Sequence, residues 1–126
     1  MTIADSDVLI DALRGHEPIR GLVDRYLEHD SMATTAITVF ELLSGAHSIK
    51  QKDKVERLLS ALTVFAFDDR AAACSASIRL TLDNRGQPIG MADYLIAGFC
   101  VSRGLPLLTR NRRHFERVPG LVLCDF

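Results

Sequence analysis

The stretch TIADSDVLIDALR, residues 2–14, decides the fold because it changes from a strand pattern to a helix pattern within a few residues. Its apolar opening is followed at once by Asp5, and from Val8 onward apolar residues recur at helical spacing. Ser6 or Asp7 is a suitable N-cap for that helix, and Gly15 is a natural stop. The stretch therefore predicts a short strand that ends at an aspartate and leads directly into a helix.

The rest of the chain repeats this alternation of short apolar runs and longer helical patterns. Further strands are predicted at residues 32–36, 63–67, 106–108 and 121–123. Further helices are predicted at residues 19–28, 37–46, 54–62, 70–82 and 92–102. Such alternation is typical of an α/β fold around a mostly parallel sheet, in which ligands bind beyond the carboxyl ends of the strands.

Size and composition fit one globular domain over residues 1–126. The 126 residues are 48% hydrophobic, which suffices for a buried core, and they contain no repeat, low-complexity tract or linker. The 15 basic and 16 acidic residues leave a net charge of −1, which excludes a polybasic nucleic-acid arm and a highly charged disordered tail. Nucleic acid is still a possible substrate, because charge can be segregated on the surface.

The lengths of the apolar runs, the first ten residues and the cysteines lead us to expect a cytoplasmic protein. No apolar run approaches the ~18 residues that a membrane span requires, and residues 1–10 lack the basic leader of a signal peptide. Cys74, Cys100 and Cys124 are scattered in apolar surroundings without a CxxC pair. We therefore expect buried thiols rather than a disulfide or a zinc site.

Three carboxylates stand in apolar sequence: Asp5 in TIAD, Glu41 in TVFELLSG and Asp93 in GMADYLIAGF. Asp5 could simply cap the first helix, and Asp93 could stabilise the positive end of its own helix. Glu41 is harder to explain in this way. An isolated ionised carboxylate in apolar company is costly, and the nearest basic residue, Lys50, is more than two helical turns away.

A shared function accounts for all three acids together. If the strand ends bring Asp5, Glu41 and Asp93 into one cleft, their mutual repulsion requires a cation. Ligation by oxygen alone suits a hard ion such as Mg²⁺ or Mn²⁺. Such an ion activates a water molecule and neutralises the charge that builds on phosphate oxygens. The acids therefore predict metal-dependent phosphoryl chemistry.

An arginine-rich segment at residues 103–117 indicates what the substrate is. The segment contains five arginines against a single acid, Glu116. Beside an acidic cleft, Arg110, Arg112 and Arg113 are the candidates to hold a polyanion such as RNA. The alternative is an ordinary solvated face of loop and helix.

Three segments carry a resemblance to a known family: IADSDVLIDALRG at residues 3–15, TAITVFELLSGA at 35–46, and PIGMADYLIAGFCVSRGLPLLTRNRRHFERVPGLVL at 88–123. In this order they resemble the motifs of PIN-domain ribonucleases, and the last of them resembles the VapC-type toxins of bacterial toxin–antitoxin pairs. The resemblance covers nearly the whole chain. It implies a single PIN-like domain, an α/β/α sandwich around a mostly parallel central sheet.

The resemblance also implies roles for individual residues near the first strand. The metal-binding and catalytic acids would be Asp5, Glu41 and Asp93. Ser6 would orient Asp5 without touching the metal, and Asp7 stands where the family often has an asparagine.

The late motif departs from the family pattern. Many relatives have an aspartate two residues after the threonine, whereas Thr109 is followed here by Arg110 and Asn111. Asn111 can offer a carbonyl oxygen but brings no charge. We therefore expect one firm metal site, with Thr109 and Asn111 in supporting roles.

The implied function is that of an endoribonuclease toxin. In the family, a metal-activated water hydrolyses an RNA phosphodiester bond, leaving a 5′-phosphate and a 3′-hydroxyl, and growth stops through loss of translation. The resemblance further implies a cognate VapB-type antitoxin that forms a hetero-oligomer with the toxin. A homodimer is also implied, with the helices near residues 19–28 and 54–62 as candidate contact surfaces.

Two other functions compete with this hypothesis. One is a non-catalytic PIN-like module that binds RNA or protein, although such a module has little reason to keep a complete acid trio. The other is a phosphoacceptor that uses clustered acids and Mg²⁺. A phosphoacceptor normally needs a late lysine, and no lysine follows Lys54.

Overall fold

A computed structural model describes residues 1–126, in which four short strands and seven helices follow one another along the chain. The strands are β1 (Thr2–Ala4), β2 (Met32–Thr35), β3 (Thr63–Phe65) and β4 (Leu107–Leu108). The helices are α1 (Ser6–Leu13), α2 (Ile19–Glu28), α3 (Ala36–Ser44), α4 (Ile49–Ser60), α5 (Asp69–Asn84), α6 (Met91–Arg103) and α7 (Arg112–Phe115). None of the helices is both long enough and apolar enough to span a membrane.

The strands form one sheet in the order β3-β2-β1-β4, and every neighbouring pair is parallel. Ile3 of β1 lies beside Ala33 on one side and Leu107 on the other, so β1 is an inner strand. Because all strands run the same way, the residues that follow β1, β2 and β4 meet at one edge of the sheet. This edge is where Asp5 and Thr109 lie.

Side chains alternate between the two faces of the sheet, and each face is covered by helices. Ile3, Ala33 and Leu107 belong to a core formed mainly with α5 and α6. Their chain neighbours Ala4 and Leu108 belong to a second core, formed with α1, α2 and α4. The predicted α/β/α sandwich is confirmed, and its sheet is entirely parallel.

Helices α5 and α6 approach each other unusually closely at Gly98. A Cβ atom on Gly98 would lie 1.9 Å from Ser75 Oγ and 2.6 Å from the Ser75 Cα and backbone N. Only a residue without a side chain fits at this contact. The small residue lets α6 lie flat on α5, and α6 is the helix that carries Asp93.

The elements differ from the sequence predictions in several places, among them the short helix α7, which the sequence did not predict. The N-cap of α1 is Asp5, as one of the two interpretations of that residue predicted, rather than Ser6 or Asp7. Helix α4 begins at Ile49 instead of residue 54, because Ser48 caps it and the polar residues of its first turns show no apolar period. Residues 121–123 make only an isolated bridge, between Leu107 and Leu123, and not a strand.

Candidate active site

Asp5 lies at the carboxyl end of β1 and is buried, with 5% of its surface exposed. Its Oδ1 accepts a hydrogen bond of 2.8 Å from the backbone N–H of Ser6. Burial, and secondarily the neighbouring charge of Asp7, raises the pKa of Asp5 to about 7. The backbone N–H of residue 6 therefore helps to fix the Asp5 carboxylate, and the role expected of Ser6 stays a prediction.

Thr109 links the end of β4 to the end of β1. Its hydroxyl donates to Asp5 Oδ2 at 2.7 Å and lies 3.4 Å from Asp7 Oδ2. The same oxygen accepts the backbone N–H of Asn111 at 3.0 Å. Thr109 is fully buried, so its hydroxyl fixes the Asp5 carboxylate in one orientation.

Asp7 and Asp11 hold the residue after Thr109 against α1. Asp7 accepts the backbone N–H of Arg110 at 3.2–3.3 Å, and the Arg110 guanidinium donates to Asp11 Oδ2. Asp7 and Asp11 are four residues apart and therefore share one face of α1. Burial raises the pKa of Asp7, and the Arg110 N–H opposes that rise. We call these three residues the α1 clamp.

Glu41 comes from α3, the helix that follows β2. One of its carboxylate oxygens, Oε1, is buried and has no hydrogen-bond partner. Burial raises the pKa of Glu41, and the charges of Asp93 and Asp7 raise it further, while the Ser6 side chain lowers it. Burying a carboxylate oxygen without a hydrogen-bond partner costs free energy, and a cation bound beside it would offset that cost.

Asp93 lies in the first turn of α6 and faces α7. Its Oδ2 lies 3.3 Å from the Asn111 amide nitrogen and 3.4 Å from His114 Nδ1. Asn111 also lies 2.9 Å from His114 Nδ1. Asn111 thus bridges Asp93 to the Thr109 loop, and His114 is a polar neighbour of the site.

Four acids lie at this edge of the sheet, close enough for the charges of some to shift the pKa of others. They are Asp5, Asp7, Glu41 and Asp93. Asp7 and Asp93 both raise the pKa of Asp5, and they also raise that of Glu41. No three His, Cys, Asp or Glu side chains are spaced to surround a single ion. Ser6 and Thr109 instead hydrogen-bond Asp5, and Asn111 hydrogen-bonds Asp93. The donors nevertheless fit a hard cation, since they are carboxylate oxygens and one of them is buried without a partner.

The arginines of residues 103–117 are mostly bound to other parts of the chain. Arg110 pairs with Asp11, and Arg103 pairs with Asp68 and lies over the Phe65 ring. Arg112 donates to the carbonyl of Cys124, lies near Glu116 and Asp125, and is only partly exposed. Arg117 donates to the carbonyl of Pro88. Among the three predicted RNA contacts, Arg113 alone forms no ion pair or hydrogen bond, and the role of all three stays a prediction.

Sequence reasoning missed Asp11 and did not place His114 beside Asp93. Asp11 could have been noticed, because an acid four residues after Asp7 places two like charges on one helix face, which is unfavourable without a cation. His114 carries no such signal. It reaches the site only because α7 packs beside the start of α6, which brings together residues 21 positions apart.

Comparison with known proteins identifies the family. The PIN domain family matches residues 2–121. The tRNA(fMet)-specific endonuclease VapC of Salmonella typhimurium is 38% identical over 104 residues, which is 79% of this chain and 79% of that protein. The chain belongs to the VapC group of PIN-domain proteins. Ribonuclease VapC2 of Haemophilus influenzae is a further VapC relative, 36% identical over 94 residues, or 71% of each chain.

Solved structures of VapC proteins have the same fold as this VapC-group chain. The crystal structure of DNA-bound VapBC from Salmonella typhimurium matches with a TM-score of 0.87 and 33% identity, over 99% of this chain and 98% of that chain. VapBC2 from Rickettsia felis, bound to a promoter DNA fragment, matches with a TM-score of 0.89 at 23% identity, over 99% and 98%. The predicted resemblance to PIN-domain ribonucleases and VapC-type toxins is confirmed.

Proposed function

We propose that the chain is a metal-dependent endoribonuclease and the toxin of a toxin–antitoxin pair. The main support is the position of Asp5, Glu41 and Asp93 at one edge of the sheet. Burial there, the charge of Asp7 and to a smaller degree the charge of Asp93 raise the pKa of Asp5 to about 7. Buried carboxylates that repel one another bind a cation favourably. The VapC relatives, which are named as ribonucleases, support RNA as the substrate.

Asp5, Glu41 and Asp93 would hold a divalent ion, which supplies Lewis-acid activation of a water molecule and charge neutralisation at phosphate. Ser6 and Thr109 keep Asp5 pointing into the site, and Asn111 does the same for Asp93. Hydrolysis would break the bond between phosphorus and the 3′-oxygen, with the water oxygen going to phosphorus and a proton to the 3′-oxygen, so the products would carry a 5′-phosphate and a 3′-hydroxyl. Because the donors are carboxylate oxygens, Mg²⁺ or Mn²⁺ is the cofactor that we propose.

The substrate and the partners follow from the relatives. We propose initiator tRNA as the first RNA to test, because the relative at 38% identity is named for tRNA(fMet). Cleavage of that RNA would stop translation. The VapBC neighbours support a hetero-oligomer with a VapB-type antitoxin. A homodimer through α2 and α4, and a cytoplasmic location, belong to the same proposal.

Cleavage of total cellular RNA by the purified, antitoxin-free chain tests the activity. We expect discrete fragments with Mg²⁺ or Mn²⁺, none with a chelator, and at least a 100-fold loss of rate in Asp93→Asn, since one metal ligand loses its charge. Asp24→Asn is the matched control, because Asp24 is an exposed aspartate of α2 outside the site. Undiminished cleavage by Asp93→Asn would overturn the assignment of the site. No cleavage by the folded wild type would favour a non-catalytic RNA- or protein-binding module.

A further inference from the structure

Two buried side-chain oxygens of the chain have no hydrogen-bond partner, and both belong to helix α3. They are the hydroxyl oxygen of Thr38 and Oε1 of Glu41. Thr38 is fully buried. Residues three positions apart are neighbours on one face of a helix, with their Cβ atoms about 5–6 Å apart. Glu41 is a proposed cation ligand, whereas the function proposed above gives Thr38 no role.

The Thr38 hydroxyl lacks the partner that a helical threonine normally finds in its own helix. Such a hydroxyl usually donates to the carbonyl three or four residues earlier. Thr38 is only the third residue of α3, and the residue four positions before it, Thr34, belongs to the extended strand β2. The helix is capped by a different threonine, because the Thr35 hydroxyl accepts the Thr38 backbone N–H at 3.3 Å. The Thr38 hydroxyl is therefore available to a group outside the local backbone.

The packing of α3 shows on which side of the helix these two oxygens lie. Ile37 packs against the core formed with α5 and α6, and Leu42 belongs to the core formed with α1, α2 and α4. At about 3.6 residues per turn, Glu41 and Thr38 project between Ile37 and Leu42. Long side chains of a helix lean toward its N-terminus, so the Glu41 carboxylate lies over the turn that contains Thr38. Both oxygens therefore lie between the two cores, just beyond the end of β2.

Packing alone would favour valine over threonine at position 38. A fully buried hydroxyl without a hydrogen-bond partner is unfavourable, and valine has nearly the same shape without that cost. A hydroxyl at this position therefore indicates a polar partner that the protein chain itself does not supply. One water molecule that bonds to both the Thr38 hydroxyl and Glu41 Oε1 would satisfy the two unpartnered oxygens together.

We propose that Thr38 positions Glu41 for cation binding through such a bridging water molecule. The Thr38 hydroxyl donates to the water oxygen, and the water donates to Oε1 of Glu41. The other carboxylate oxygen of Glu41, Oε2, is then left to face the cation. This role rests on the metal-dependent function proposed above, and it adds a positioning residue that touches neither the cation nor RNA. Removing a hydrogen-bond partner of a metal ligand typically weakens metal binding by about 10- to 100-fold.

Calorimetric titration of the RNA-free protein with Mn²⁺ tests this role directly. Thr38→Val removes the hydroxyl and keeps the shape of the side chain, so it should bind Mn²⁺ about 10-fold more weakly than the wild type. Its melting temperature without metal should be equal to that of the wild type or higher, because no unpartnered hydroxyl is buried. Thr38→Ser keeps the hydroxyl and should bind Mn²⁺ nearly as tightly as the wild type. Equal Mn²⁺ affinity of Thr38→Val and the wild type would overturn the role of the hydroxyl.

Thr34→Val is the matched control. Thr34 is as deeply buried as Thr38, but its hydroxyl already donates to the carbonyl of Ala4 at 2.9 Å. This change should lower the thermal stability, because a buried hydrogen bond is lost, and it should leave the Mn²⁺ affinity unchanged. An equal loss of Mn²⁺ affinity in both valine variants would mean that the loss comes from altered packing of α3 on β2, and Thr38 would then have no positioning role.

RNA cleavage separates this role from the function on which it rests. Thr38→Val should need about 10-fold more Mn²⁺ than the wild type for half-maximal cleavage and reach a similar rate at saturation. If Thr38→Val binds Mn²⁺ more weakly than the wild type, yet neither protein cleaves RNA, the role of Thr38 stands and the nuclease fails. If the wild type cleaves RNA and Thr38→Val binds Mn²⁺ equally well, the nuclease stands and the role of Thr38 fails. If the wild type binds no Mn²⁺, both proposals fail.

Discussion

Burial disfavours the ionised form of the Asp5 carboxylate, and this carboxylate lies at the centre of the candidate active site. Two donors fix it, the Ser6 N–H and the Thr109 hydroxyl, but they do not offset the burial that raises its pKa to about 7. A residue selected only for stability would not be an aspartate at this point. Its presence points to a ligand that the ionised form binds.

Asp5→Asn should stabilise the metal-free protein while abolishing cleavage. The folded protein binds a proton at Asp5 more tightly than the unfolded chain does, so the free energy of unfolding falls as the pH rises from about 4 to about 7. The amide side chain of the variant does not ionise, so the variant does not lose this free energy of unfolding as the pH rises. Above pH 7 the variant should be more stable by roughly 2–4 kcal/mol, because one pKa unit corresponds to about 1.4 kcal/mol.

Urea unfolding with a chelator at pH 4 and at pH 8 measures this difference. The two proteins should have similar stabilities at pH 4 and different ones at pH 8. Asp24→Asn, on the exposed face of α2, should match the wild type at both values. Equal stability of Asp5→Asn and wild type at pH 8 would show that the Asp5 carboxylate ionises without penalty.

The α1 clamp gives Arg110 a role that differs from direct RNA contact. If Arg110 positions the Thr109 loop by pairing with Asp11, then Asp11→Asn and Arg110→Gln should lower kcat by a similar factor, about 10-fold, and leave KM unchanged. The double variant should be no worse than either single variant, because residues that act as a unit are not additive.

Steady-state cleavage kinetics distinguish the two roles of Arg110. Arg113→Gln serves as the comparison. Arg113 lies in the short helix α7, close in sequence to Arg110, and forms no ion pair or hydrogen bond within the chain. A rise in KM for Arg110→Gln, with Asp11→Asn behaving like the wild type, would mean that Arg110 contacts RNA directly. That result would remove the clamp from the mechanism.

At the scale of the elements, the close contact of α5 and α6 leaves no room for a side chain at Gly98. Gly98→Ala should destabilise the protein by about 3 kcal/mol or more, because the new methyl group would overlap the backbone of Ser75 at 2.6 Å. Thermal unfolding is the measurement, with Gly45→Ala as the control. A Cβ on Gly45 meets nothing nearer than 3.5 Å, so that change should cost little. A fully stable Gly98→Ala would mean that α6 can shift along α5.

The sequence predicted the elements wherever an apolar period marks them, and failed where it does not. Helix α2 has the predicted bounds, and β1 ends directly before Asp5 as predicted. The start of α4 was placed too late, since IKQKDK offers no apolar face, and only the hydrogen bond from the Gln51 N–H to Ser48 reveals the cap. The short α7 depends on packing and has no local pattern of its own.

The candidate site was predictable in its acids and unpredictable in its hydrogen bonds. Asp5, Glu41 and Asp93 are visible because carboxylates are rare in apolar sequence. The pairing of Arg110 with Asp11 joins positions 99 residues apart, and no local rule predicts a contact of that separation. Three of the five arginines that look like a free stripe in the sequence, Arg103, Arg110 and Arg112, are therefore paired with acids in the fold.

At the scale of the whole molecule, binding of a divalent ion should raise stability as well as activity. An ion at 100 times its dissociation constant adds about 2.7 kcal/mol to the free energy of unfolding. Thermal unfolding with increasing Mn²⁺ should therefore show a rising Tm for the wild type. Asp93→Asn should show a much smaller rise. Identical Mn²⁺ dependence of the two proteins would mean that the ion binds elsewhere.

The hydrogen bond between Asp5 and Thr109 spans 104 positions, and this has a consequence for the order of synthesis. The first strand needs both β2 and β4 as neighbours, and β4 is made near the end of translation. A nascent chain whose β4 residues are still inside the ribosome has neither the Thr109 hydroxyl nor Asn111 in place. A product that ends before β4 would thus lack both side chains, and its candidate site would be incomplete.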